Sequence, residues 1–205
     1  MNRSVLFGVL VAAVTAVGLA GCGTAAMPAA APAPQAAPAA AAEHNDADTT
    51  FATSMVPHHT QAIEMAQLAT DRATSSKVKE LAGQIEQAQG PEITQLQGLL
   101  AAWGEKPAPT SMGDMGGMGG MPMDGKAAMP GMMSDQQMKQ LQAASGAAFD
   151  RMWLQMMIEH HTGAIEMART EMSSGTNAEA KDLAQNVVDA QQSEITTMKQ
   201  LLTSL

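Results

Sequence analysis

The 205-residue chain has one cysteine, no tyrosine, three phenylalanines and two tryptophans. A single cysteine excludes an intrachain disulfide and any metal site built from several thiolates. Basic residues are scarce too: 11 Lys and Arg stand against 20 Asp and Glu, a formal charge of −9, and nowhere do they cluster. Nucleic-acid binding needs a basic footprint, so no nucleic-acid partner is expected, and an acidic chain suits cations better. No stretch alternates apolar and polar residues with β-branched enrichment, which excludes a sheet. The longest apolar run, residues 5–20, is too short and wrongly flanked for a stable membrane span.

That run has another use. It follows Asn2-Arg3 and ends in Leu19-Ala20-Gly21-Cys22, so residues 1–21 read as an export signal and Cys22 as a lipobox cysteine that becomes a lipidated N-terminus. The expected location is the extracytoplasmic face of the cell membrane, with the lipid as membrane partner. Residues 22–45 are dominated by Ala and Pro, cannot bury enough apolar surface to fold, and serve as a tether. Residues 46–205 are long enough for one domain with a core.

Within that domain the chain repeats itself. His58-His59-Thr60-Gln61-Ala62-Ile63-Glu64-Met65-Ala66 returns 102 residues later as His160-His161-Thr162-Gly163-Ala164-Ile165-Glu166-Met167-Ala168. The same offset pairs Asp48 with Asp150, Met55 with Met157, Glu92-Ile93-Thr94 with Glu194-Ile195-Thr196 and Leu99-Leu100 with Leu201-Leu202. This is an internal duplication.

Apolar residues recur at helical period, giving four long helices over about 46–72, 77–103, 135–173 (open to a break near Gly146) and 178–203. Ser134 with Gln137 and Thr176 with Glu179 resemble capping boxes, and Gly175 suits a left-handed C-terminal position. Pro57 is expected to kink the first helix. Each copy is then a helical hairpin, 46–103 and 134–205, that cannot cover its own apolar stripe. Two facing hairpins can, which gives an all-α, up-down-up-down four-helix bundle for which one chain suffices.

Projection at about 100° per residue places Asp48, Phe51, Met55, His58, His59, Ala62, Met65 and Ala66 on one stripe. Asp150, Trp153, Met157, His160, His161, Ala164 and Met167 take the matching phases, while Glu64 and Glu166 fall outside. The second helix presents Leu81, Ile85, Ala88, Glu92, Leu96 and Leu99, and the fourth presents Leu183, Val187, Ala190, Glu194 and Met198. A carboxylate facing a core must be paired, protonated or bound to metal. Two readings follow. The histidine pairs and Glu92 and Glu194 could form polar networks that fix helix register. Alternatively, His58, His59, His160 and His161, with the thioethers of Met55, Met65, Met157 and Met167, bind metal, supported by Asp48, Asp150, Glu92 and Glu194. For the two aspartates, helix capping is a further alternative.

Residues 104–133 join the hairpins and are too long for an ordinary bundle connection. Met112, Met115, Met118 and Met121 are spaced by three, and with Met123, Met129, Met132 and Met133 they make 8 methionines in the 22 residues from 112 to 133. Glycine-rich surroundings rule out core packing. Thioether sulfur is a soft neutral ligand that selects Cu(I), and by extension Ag(I), over hard cations. The competing reading is a linker whose methionines scavenge oxidants.

The Met55-x-x-His58-His59 and Met157-x-x-His160-His161 segments, with Gln89-x-x-Glu92-Ile93 and Gln191-x-x-Glu194-Ile195, resemble the domain of unknown function 305 family, grouped with ferritin-like bundles. That resemblance implies the bundle and, from some exported members, copper binding through His and Met. Ferritin-like folds also raise a di-iron carboxylate enzyme, but no Glu stands three residues before any of the four histidines. The function expected is a lipid-anchored, non-enzymatic envelope protein that buffers copper. The alternative is an interaction module for another envelope protein, with buried polar networks and no metal.

Overall fold

The computed structural model describes residues 43–110 and 129–205. The export signal, Cys22, most of the tether and Met112, Met115, Met118, Met121 and Met123 lie outside the described residues. Among those described, all regular structure is helical: α1 (Asp46–Arg72), α2 (Ser76–Trp103), α3 (Asp135–Ala143), α4 (Gly146–Ser174) and α5 (Ala178–Ser204). None of these helices is long and apolar enough to cross a membrane.

The helix ends follow local chemistry. Asn45 caps α1 in a reciprocal box with Asp48, and Ser134 caps α3 in the expected box with Gln137. The third long segment does break near Gly146: Ala144 and Ser145 are extended, and Gly146 takes φ +64°, which a side chain would resist. Pro57 does not interrupt α1, nor Pro91 α2; each removes only one helical N–H.

Two boundary expectations fail for one reason. The cap of α5 is Asn177 rather than Thr176, and Gly175 is extended (φ −70°) rather than left-handed. Asp48 reaches across from α1 and takes both the N–H and the hydroxyl of Thr176, so the turn is set by another helix.

Three-residue turns fold α1 against α2 and α4 against α5, and α1 packs on α4 while α2 meets α5. The apolar interior forms two clusters. One includes Met65, Ile85, Phe149, Trp153 and Met157, the other Phe51, Met55, Leu96, Leu100 and Val187. Trp153, fully buried, also donates its indole N–H to the Met65 carbonyl at 2.8 Å, tying α4 to α1.

Ala88 and Ala190 are exposed, against expectation, while Gln89 and Gln191 are buried. The buried arc of α2 runs from Leu81 and Leu99 across Ile85, Val78 and Leu96 to Leu100, which leaves Ala88 just outside it and Glu92 within it. Glu92 and Glu194 lie on the aliphatic faces as expected, each keeping a minor part of its side-chain surface, 19% and 17%, in solvent.

Candidate metal site

Small residues bring the two copies together. Ala62, Ala66, Ala164 and Ala168 are buried on α1 and α4, and one turn away His58 and His160 face each other with ring centroids 3.8 Å apart and planes tilted by 40°. Both rings are buried. Two imidazolium ions cannot share that space. Burial first, then the neighbouring His59, pushes the His58 pKa down to about 3, with the Pro130 carbonyl pulling the other way. Burial, His58 and His161 hold His160 well below the usual histidine range. The pair is thus neutral at physiological pH.

The hydrogen bonds then assign ring protons. The Nε2 of His58 lies 3.1 Å from the Pro130 carbonyl, which can only accept, so Nε2 carries the proton and Nδ1 the lone pair. His59 Nε2 lies 2.7 Å from Glu92 Oε2, and His161 Nε2 lies 2.6 Å from Glu194 Oε2. Nδ1 of His58, His59 and His161 and both nitrogens of His160 have no hydrogen-bond partner. A buried polar atom left unpaired costs about 1–3 kcal/mol, so five at one junction is a costly arrangement for structure alone. Imidazole nitrogens whose opposite N–H is held by a carboxylate or carbonyl are the donor type that metals use.

No group of three His, Cys, Asp or Glu side chains placed to hold a metal ion exists among the described residues. A closed site of the structural zinc type is therefore not preformed here, whereas a soft ion satisfied by few ligands asks less of the geometry. Met55 and Met157 are buried one turn before the rings, and Met65 is buried as well. Met167 is half-buried and lines a cavity of about 300 Å³ together with Thr50, Phe51, Ser54 and Glu171. The four thioethers divide between the two apolar clusters.

Asp48 and Asp150 stand ten residues, ~15 Å along the helix, from the histidines and do not support them. Each closes the turn of the other copy. Asp150 accepts from the N–H and hydroxyl of Thr74 and from Ser75 N–H, and Asp48 accepts from Thr176, Asn177 and Asn45. Capping, the alternative for these two, holds for Asp48, which completes the α1 box with Asn45. Asp150 lies beyond the first turn of α4 and holds the α1–α2 turn instead.

Sequence reasoning missed the role of the one difference inside the repeated block. Gln61 gives both its amide groups to Met133, donating to the carbonyl at 2.9 Å and accepting from the N–H at 2.7 Å. Its counterpart Gly163 has no Cβ, and one there would collide with the Pro130 carbonyl. Gly131 fits at φ +77° with its own missing Cβ only 2.7 Å from the His160 carbonyl. The two copies thus hold the end of the connector from both sides, over the histidine pair. A second missed feature is Glu171, which replaces Ala69 of the first copy: it is buried beside Asp48, and a Cβ on Gly175 would collide with it. Both features were visible in the sequence as departures from the repeat.

Residues 48–202 match the family model described as domain of unknown function (DUF305). No curated protein matches. Among solved structures, a DUF305 protein from Streptomyces coelicolor is 36% identical, covering 77% of this chain and 93% of that one, with TM-score 0.66. A DUF305 fragment from Deinococcus radiodurans is 27% identical over 78% of this chain and 98% of that one, with TM-score 0.66. CopM in its Cu(I)-bound form is 27% identical over 77% of this chain and 96% of that one, with TM-score 0.62. Its Cu(II)-bound and Ag-bound forms match at 29% and 27% identity, with TM-scores 0.63 and 0.60.

Proposed function

The chain belongs to the DUF305 family, and we propose that it is a lipid-anchored envelope protein that binds and buffers copper, chiefly as Cu(I), with Ag(I) as a chemical surrogate. The observation that carries this reading is the junction of the copies: buried imidazoles, two of them neutral and in ring contact, with five nitrogens unpaired. The copper- and silver-bound forms of CopM support it.

On this reading the helices form a four-helix bundle of the ferritin-like kind, but up-down-down-up rather than the expected up-down-up-down. Asp48 at the start of α1 meets Thr176 past the end of α4, and Asp150 at the start of α4 meets Thr74 past the end of α1, so α1 and α4 run antiparallel. The thioethers of Met112, Met115, Met118, Met121 and Met123 capture the ion, needing no deprotonation in an oxidising compartment. His58, His59, His160 and His161 provide more ordered nitrogen donors, with Met55 and Met157 one turn away. Glu92 and Glu194 hold the Nε2–H groups of His59 and His161, which directs Nδ1 toward any ion. Lipid on Cys22 keeps the protein at the membrane. Catalysis is not part of the proposal: the di-iron pattern lacks its Glu-x-x-His, and Glu92 and Glu194 are engaged by histidine.

The test is competition for Cu(I) against a chromogenic chelator. The mature protein should withdraw several ions. Changing the five connector methionines to Leu should lower that number, and adding His58→Gln and His160→Gln should remove the ordered remainder. Wild-type protein that withdraws none sinks the proposal. The short His59–Glu92 and His161–Glu194 bonds favour a second reading, a register-fixing network in an interaction module, and that outcome would leave it standing.

A further inference from the structure

The end of the connector sits on the histidine pair in a way that packing alone does not require. The carbonyl of Pro130 occupies the only Nε2 of the pair that has a partner, on His58. The next residue, Gly131, lies against the backbone of Glu159, His160 and Gly163. Met133 is then pinned by both amide groups of Gln61 and buried in the apolar core. This goes against the expectation that no connector methionine packs in a core, because Met133 lies past the glycine-rich stretch and next to α3. The two residues that make the dock, Gln61 and Gly163, occupy the same position in the two copies of a block that is otherwise identical. The dock thus uses one difference twice, as a clamp on α1 and as a groove on α4.

We infer that residues 129–133 are a cap on the His58–His160 pair, whose lifting admits the ion and whose hold is set by Gln61 and Gly163. This rests on the copper-binding reading and adds its control. While Pro130 is docked, its carbonyl holds the His58 Nε2–H, the backbone of Gly131 lies on α4 beside His160 and both rings are buried, so an ion reaches the free Nδ1 of the pair at the rate at which the cap opens. Met129 and Met132, both half-buried, flank the docked Pro130–Gly131 step in the chain. Capture in the methionine-rich stretch and entry to the histidines are then separate, sequential events. The cap opens without unfolding a helix, because no residue of 129–133 is helical.

The experiment uses the mature chain, Ag(I) as a redox-inert probe, and nitrogen-15 NMR of the histidine rings. Gly163→Ala should expel Pro130 by the collision of its Cβ, and Gln61→Ala should release Met133 with no collision at all. In both variants the His58 Nε2–H resonance should lose its hydrogen-bonded shift, helix content should hold, and the silver-induced shift of His58 and His160 should develop at least tenfold faster. The total silver bound should stay the same. An unchanged rate in variants whose His58 resonance has lost its partner overturns the cap. An unchanged His58 resonance in both variants overturns the anchoring by Gln61 and Gly163. If silver binds to wild type yet never moves a ring resonance, the copper-site reading itself fails, which the wild-type protein alone reveals.

Discussion

The two copies of the hairpin close the bundle with the same device and differ in what they place beside it. In one turn, Asp150 of the second copy accepts three hydrogen bonds from Thr74 and Ser75, beside the buried Ala69 and Ala73. In the other, Asp48 of the first copy binds Thr176 and Asn177, but the neighbours are Glu171 and Gly175. The exchange is coupled, since the carboxyl that Glu171 adds occupies the volume that a Cβ on residue 175 would need. A similar coupling occurs at the centre, where Gln61 and Gly163 share one connector end. Duplication supplied symmetric halves, and each departure from symmetry fills a place where only one group fits.

The comparison breaks most severely in the core. Phe51 and Trp153 are equivalent positions, but only Trp153 has a hydrogen bond to the facing helix as well as full burial. Trp153→Ala should cost about 3–5 kcal/mol, at the upper end for a large aromatic side chain, and Phe51→Ala should cost less. Urea melts of the two variants check the order, and equal losses would show that the indole bond contributes nothing.

A smaller effect sharpens the coupled exchange. Gly175→Ala alone should destabilise by about 1–3 kcal/mol, because the new Cβ overpacks Glu171 and Asp48. With Glu171→Ala, the second copy takes the Ala–Ala pair of the first, and the penalty should vanish. Losses that simply add in the double-mutant cycle would refute the coupling.

How much of this was legible beforehand depends on the range of the forces involved. Helical period and the 102-residue offset located α1, α2 and α5 to within about a residue at either end, because amphipathic stripes are local and repeated, whereas the third segment is two helices, parted at the break that Gly146 left open. The Ser134 box was legible for the same reason. Gly175 and Thr176 were misread since their conformation answers to Asp48, more than 120 residues away in the chain. The histidine stripe was correctly projected inward, yet its meeting with the other copy's stripe, ring against ring, depends on helix-to-helix register that one helix cannot encode. The support assigned to Asp48 and Asp150 ignored ~15 Å of helix rise between them and the rings. Gln61 and Gly163 were not legible as a pair because what they hold, Pro130 to Met133, lies in another part of the chain.

A further effect lies in pH dependence, and it separates the two turns cleanly. Burial, then the hydrogen bond to Asp48 and the charge of Asp48, push the Glu171 carboxyl from 4.5 up to about 8, with Lys181 opposing. For Asp48, burial works against ionisation, but bonds from Glu171 and from the N–H groups of Asn177, Asn45 and Thr176 prevail and hold it at about 2. Glu171 therefore keeps its proton beside an ionised Asp48. Because the folded chain keeps the Glu171 proton that the unfolded chain releases near 4.5, stability should fall as pH rises from about 4.5 to about 8 and then level off. Asp48 contributes the opposite slope, with stability present above 3.8 and lost as pH falls toward 2. Glu171→Gln keeps the size and shape of the side chain and has nothing to ionise, so it should flatten the first slope and leave the second. Melting temperatures of the two proteins between pH 4 and 9 would diverge steadily toward the alkaline end. Parallel curves would mean that Glu171 is ionised in the folded protein, and then the second turn would differ from the first in shape alone.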